Sequence, residues 1–183
     1  VSEYLEDHPL GKAAWIKFFA AFYHCTGKGD SIFNEVQKNY ISLRDSVRAV
    51  KDKPLVLAGL PWKDTWFLPG GKSFSARFIM DAGGDYLWKD DLSNEYIALD
   101  LESVFLKALH ADIWINTGSA ETKAGIIGLD DRFGIIKAFR SDSVFNNDAR
   151  SVAGGGNAYW ESGAVYPDLI LHDLIEIFHP AVL

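Results

Sequence analysis

Lys53-Pro54-Leu55-Val56-Leu57-Ala58-Gly59-Leu60 runs into Pro61-Trp62-Lys63-Asp64-Thr65-Trp66-Phe67-Leu68-Pro69-Gly70-Gly71, and then into Ser73-Phe74-Ser75-Ala76-Arg77-Phe78-Ile79-Met80-Asp81-Ala82. The first piece is a short, unbroken apolar run after a proline, so Leu55 to Leu60 reads as a strand buried on both faces. Ser73 to Ala82 reads as a helix, and the aromatic, glycine-rich stretch between them as the connection.

Downstream the same alternation repeats. Glu102 to Leu109 reads as a helix behind Asp100, Ile113 to Asn116 as a second strand, and Glu121 to Gly134 as helical with a break near Gly128. Ser143 to Asn146 follows as a third strand, and Pro167 to Phe178 as a last helix with proline in its first turn. Strands separated by helices imply parallel pairing and right-handed crossovers. The expectation is an α/β fold: a three-layer, Rossmann-like lobe with a mostly parallel sheet, over residues 53–183.

Upstream lie two different helices. Between Asp30 and Val50 the residues Phe33, Val36, Tyr40, Leu43, Val47 and Val50 recur at intervals of three and four, giving a long amphipathic helix. Asp30, after Gly27-Lys28-Gly29, is its expected N-cap, and Lys51-Asp52-Lys53-Pro54 ends it. Leu10 to His24 is apolar around nearly its whole circumference and so expects burial on most sides. Left exposed, such a helix predicts dimerisation or domain exchange.

Composition narrows the function. The chain has 183 residues, 48% of them hydrophobic, which suits one domain with a real core. A net charge of −7 without any basic run argues against a nucleic-acid partner. Cys25 is alone, so neither an intramolecular disulfide nor a multi-cysteine metal site can form. The apolar stretch from Ala13 to Cys25 is interrupted by Lys17 and falls short of the roughly 20 residues a membrane span needs.

Ligands of an open parallel sheet bind outside the carboxyl ends of its strands. The segments following the strands here are 61–71, Thr117-Gly118-Ser119, and Asn146-Asn147-Asp148 through Gly154-Gly155-Gly156 to Gly163. They place Trp62, Trp66, Tyr159 and Trp160 at one sheet edge as candidate ligand-binding residues. Rings on glycine-rich loops suit a large, flat, partly apolar ligand, because they supply contact area at little entropic cost. The triple glycine lacks a following helix in G-x-G-x-x-G spacing, so a dinucleotide site is not supported.

No catalytic residue or resident cofactor is called. His8, His24, His110, His172 and His179 all lie away from the expected edge loops, and no nucleophile elbow, HExxH or P-loop is present. Asp64, Asp90, Asp91 and Glu161 offer the carboxylates for an alternative, a carbohydrate-active hydrolase.

The order of motifs resembles the periplasmic substrate-binding proteins of iron-siderophore, haem and cobalamin ABC importers. The carriers are Lys53-Pro54-Leu55-Val56, Trp66-Phe67-Leu68-Pro69-Gly70-Gly71-Lys72-Ser73-Phe74 and Asp81-Ala82-Gly83-Gly84-Asp85-Tyr86-Leu87-Trp88-Lys89-Asp90. Leu101-Glu102-Ser103-Val104, Ala111-Asp112-Ile113-Trp114-Ile115-Asn116, Lys137-Ala138-Phe139 and Tyr159-Trp160-Glu161-Ser162-Gly163 follow in the family's order. The ending from Pro167-Asp168-Leu169 to Phe178-His179-Pro180 resembles Bacteroidetes-type versions.

The resemblance implies two lobes joined by one long helix, with the ligand between them and no enzymatic turnover. Residues 1–29 then correspond to the end of a first lobe, 30–52 to the connecting helix and 53–183 to the C-terminal lobe. It also implies a metal-chelate or tetrapyrrole ligand, a permease and ATPase in the inner membrane as partners, and a periplasmic location with a lipid anchor upstream of Val1. Glu102 matches the acidic residue that pairs with permease arginines. The several histidines with a carboxylate that hold bare manganese or zinc in related binders are not found, so no metal ligand is assigned.

Overall fold

The structure is a computed structural model that describes residues 3–152 and 156–183; Gly154 and Gly155 of the triple glycine lie outside the described residues. After a short 3-10 turn come α1 (Pro9–Phe22), α2 (Thr26–Val47), β1 (Leu55–Ala58), and a hairpin of β2 (Pro61–Trp62) and β3 (Thr65–Pro69). Then follow α3 (Phe74–Asp81), β4 (Asp85–Tyr86), β5 (Tyr96–Asp100), α4 (Leu101–Ala108) and β6 (Ile113–Ile115). The chain closes with α5 (Lys123–Leu129), α6 (Lys137–Arg140), β7 (Val144–Phe145), α7 (Ala158–Glu161) and α8 (Pro167–Phe178).

The expected parallel sheet is present, in the order β4-β1-β6-β7. Val56 and Leu57 are buried on its opposite faces, as the unbroken apolar run requires. The connection after β1 differs from expectation. Residues 61–71 are not a loop: β2, β3 and β5 form a separate antiparallel sheet, with Trp66 opposite Leu99 and Phe67 opposite Ala98. Trp66 and Leu68 are buried while Phe67 between them is exposed, the alternation of a half-buried strand that the proline- and glycine-rich flanks obscured.

Helices cover both faces of the parallel sheet. α2 and α3 both pack on α8, and Tyr40 of α2 meets Phe78 of α3. On the opposite face Trp66 of β3, Trp114 of β6 and Phe133 form a triangle of rings with centroids 5.7–5.8 Å apart, extended by Phe105 of α4.

Local capping sets several helix boundaries. The Ser73 hydroxyl accepts from Ala76 N to start α3, and Asp100 accepts from Ser103 N to start α4. α3 ends where Gly83, at φ +80°, donates to Met80 O while Gly84 donates to Ile79 O, a left-handed terminus that glycine adopts without strain.

The start of α2 departs from the sequence reading. The helix begins at Thr26, four residues before Asp30, and Cys25 occupies the N-cap without a side-chain bond. Gly29 is therefore inside the helix: it is buried against Ala20 of α1, where an added Cβ would lie 2.5 Å from the Ala20 Cβ. Asp30 instead pairs with Lys17, 3.5 Å away. This small-residue contact also corrects the expectation for α1. The helices meet through Ala13, Ala20 and Gly29, which turns the bulky rings outward, so Phe18, Phe19, Phe22 and Tyr23 are exposed.

Among the described residues no helix is long and apolar enough to cross a membrane.

Candidate functional site

At the carboxyl end of the parallel sheet the chain repeatedly turns through left-handed backbone. Gly59 after β1 has φ +74°, Asn116 after β6 has φ +56°, and Gly118 has φ +58°. Asparagine tolerates this region better than other side chains do, and residues held there cluster at functional edges. The strand ends are fixed from within the core. The Trp66 indole donates to Ala58 O across 3.2 Å, and the Trp114 indole donates to Gly59 O across 2.8 Å. Asn116 N donates to Phe145 O, carrying the ladder one residue past the strand.

Against that edge, the candidate residues separate. Trp62, on β2, is 71% exposed. Trp160, on α7, is 54% exposed and stacks edge-on against Tyr159, with centroids 4.7 Å apart. Their segment is a short helix rather than the expected loop. Trp66 must be withdrawn as a ligand contact: at 0% exposure it sits in the ring cluster with its one donor already bonded. It follows β2 by a hairpin turn, and the pleat directs it inward where a loop would have left it free.

Tyr159 forms the inner wall of the edge. Its side chain is hydrogen-bonded to that of Asn116, and burial pushes its phenol up to about 12, so it stays uncharged at neutral pH. Beside it Asn146, the first residue after β7, donates through Nδ2 to Gly118 O at 3.0 Å and to Asp148 Oδ2 at 3.2 Å. Both partners are acceptors, which fixes the orientation of the amide. Its Oδ1 is buried and has no partner among the described residues, a condition that costs about 1–3 kcal/mol when left unrelieved.

Asn146 lines three cavities, of about 100, 80 and 210 Å³. The first two share Asn147, Tyr159, Ile170 and Asp173; the third opens toward Thr117 and Lys123. Asn116 and Asn146 were not singled out from the sequence. The available signal was positional, since each is the polar residue that ends an apolar strand run.

Glu102 lies in the first turn of α4, where a carboxylate favours the helix dipole. Its Oε1 accepts from Arg132 Nη1 at 2.8 Å, and Arg132 is itself held by Asp130 through Nε and Nη2. The carboxylates of the hydrolase alternative lie outside the edge cavities. Asp64, in the β2–β3 turn, and Glu161, on α7, are exposed on separate elements, and neither they nor Asp90 and Asp91 line the three edge cavities. His172, Asp173 and Glu176 bring ligand atoms within 4.8 Å of one another on an exposed face of α8.

No family model matches the chain. An uncharacterized lipoprotein of Methanocaldococcus jannaschii is 28% identical over 98% of the chain, which covers 41% of that protein. An ABC transporter substrate-binding protein from Listeria monocytogenes superposes with a TM-score of 0.67 at 16% identity, over 93% of this chain and 64% of that one. The periplasmic heme-binding protein BhuT, in complex with two hemes, does so with a TM-score of 0.69 at 17% identity, over 94% and 63%. The chain has the fold of solute-binding proteins. In that solute-binding fold the mostly parallel sheet carries the edge described above, and the chain spans less than half the length of the curated relatives it matches.

Proposed function

We propose that the chain is part of the substrate-binding component of an ABC importer, and that it captures an iron-siderophore, haem or cobalamin-type ligand without chemical turnover. The support is the carboxyl edge of the sheet, where the exposed Trp160 ring packs on the uncharged phenol of Tyr159, together with the exposed Trp62 of the hairpin that follows β1, on a fold shared with solute-binding proteins. Rings of this kind suit a large, flat ligand. On this reading α2 is the connecting helix, residues 1–29 end a first lobe, and the ligand lies between lobes. The protein works outside the cytoplasmic membrane, in a periplasm or on a lipid anchor, and Glu102 docks on a permease arginine. The hydrolase alternative finds no favouring observation, because Asp64 and Glu161 are exposed and line none of the three edge cavities.

The test is titration of the chain, and of a version extended by its upstream lobe, with haemin, cobalamin and ferric siderophores while tryptophan fluorescence is followed. Saturable quenching by one class, tighter with both lobes, is expected. Absence of quenching by every member of the panel in both forms would count against the proposal.

A further inference from the structure

We propose that the cleft between the end of β7 and α8 is a slot for an aliphatic arm of the ligand that ends in an N–H or O–H donor. The inference rests on the binding reading above and names the chemistry that one part of the site selects. The slot has an apolar floor, from Ile115 of β6 and Ile170, Leu174 and Ile177 of α8, and about 80 Å³ of open volume. Its head is polar: Asn146, whose Oδ1 has no partner among the described residues, stands there with Asp173 and with Tyr159, whose side chain is hydrogen-bonded to that of Asn116. A volume this small admits a short chain, not a ring system.

The direction of the Asn146 amide decides what the head accepts. Gly118 O and Asp148 both hold its Nδ2, so the oxygen cannot be exchanged for the nitrogen without placing acceptor against acceptor. An anion therefore meets an unpaired oxygen and a carboxylate, whereas an amine, amide or hydroxyl completes the missing bond. Oδ1 is buried, and a donor that reaches it makes the bond it lacks. Arg150 stands at the outer cavity, 4.0 Å from Asp173, and no lysine or arginine lines the inner slot.

The test uses the isotopically labelled chain titrated with n-pentylamine, n-pentanol and pentanoate at neutral pH, read by amide chemical shifts. The amine and the alcohol should perturb the Asn146 side-chain amide and residues of α8, and pentanoate, of equal apolar length, should bind at least about five-fold more weakly. Asn146→Leu should erase that preference, and Ile177→Phe, which fills the floor without touching the polar head, should weaken all three. Equal or tighter binding of pentanoate, shifts confined to other surfaces, or an unchanged preference in Asn146→Leu would overturn the proposal. Chelate titration in parallel separates the two readings. Chelate binding with a silent amine overturns the slot alone; amine binding at Asn146 without any chelate binding supports the slot and counts against the chelate ligand.

Discussion

The hydroxyl of Tyr40 donates to Asp81 Oδ2 across 2.7 Å, tying the middle of α2 to the last residue of α3. Tyr40 is fully buried, whereas Asp81 is half-buried, so the bond is partly shielded from competing water. Tyr40→Phe should destabilise the chain by about 1–3 kcal/mol in urea denaturation, with little change in slope. An unchanged midpoint would mean that α2 is held by apolar contact alone.

The same residue sets a limit at high pH. Burial raises the phenols of Tyr40 and Tyr86 far above the ordinary tyrosine value of 10.0, and for Tyr40 the Asp81 carboxylate raises it further. Above pH 10 the unfolded chain loses these protons while the folded chain keeps them, so stability is fully present below that pH and falls as pH rises beyond it. Tyr86→Phe should flatten the decline measured between neutral pH and pH 11. A decline of the same steepness in wild type and variant would exclude Tyr86 as a source.

The two tryptophans of the β2–β3 hairpin should behave oppositely. Trp66→Ala removes a core ring and a bonded indole and should cost about 3–5 kcal/mol, whereas Trp62→Ala should stay within about 0.5 kcal/mol. Ligand quenching should shrink in Trp62→Ala and Trp160→Ala. If quenching survives in both single variants and in their combination, the exposed indoles are not at the ligand.

Glu102 is paired within its own chain, which makes its role separable. On the importer reading proposed above, Glu102→Gln in the chain extended by its proposed upstream lobe should leave ligand affinity unchanged while lowering uptake through the permease by about ten-fold, the effect of losing one charge pair at an interface. Arg132→Ala frees the carboxylate from its 2.8 Å partner and should not reduce uptake. Equal loss of affinity and uptake in Glu102→Gln would place the residue at the ligand instead.

The outward rings of α1 make a last prediction. With Phe22 68% exposed and Phe18, Phe19 and Tyr23 beside it, the isolated chain should self-associate through α1, and Phe22→Glu should abolish this in sedimentation. A monomer at all concentrations would show that this face needs no cover.

Much of this architecture was legible because local signals agreed. Ser73, Asp100 and Pro167 mark helix starts by chemistry that acts within a few residues, and Val56-Leu57 marks a strand that water cannot reach. Long-range effects were not legible. Gly29 looked like a spacer because its reason for being glycine, Ala20, lies on another helix. Trp66 looked like a loop residue because its partner strand, β5, comes some thirty residues later in the chain. At the site, tryptophans drew attention by size, while Asn146 is distinguished only by which of its atoms has no partner.

The indole bonds of Trp66 and Trp114 close off Ala58 O and Gly59 O, successive carbonyls at the central strand end. With those main-chain groups engaged inward, recognition at this edge falls to interchangeable side chains. On the proposed binding role, such an edge can be re-specified for a new cargo by substitution alone, with the backbone serving as a fixed chassis.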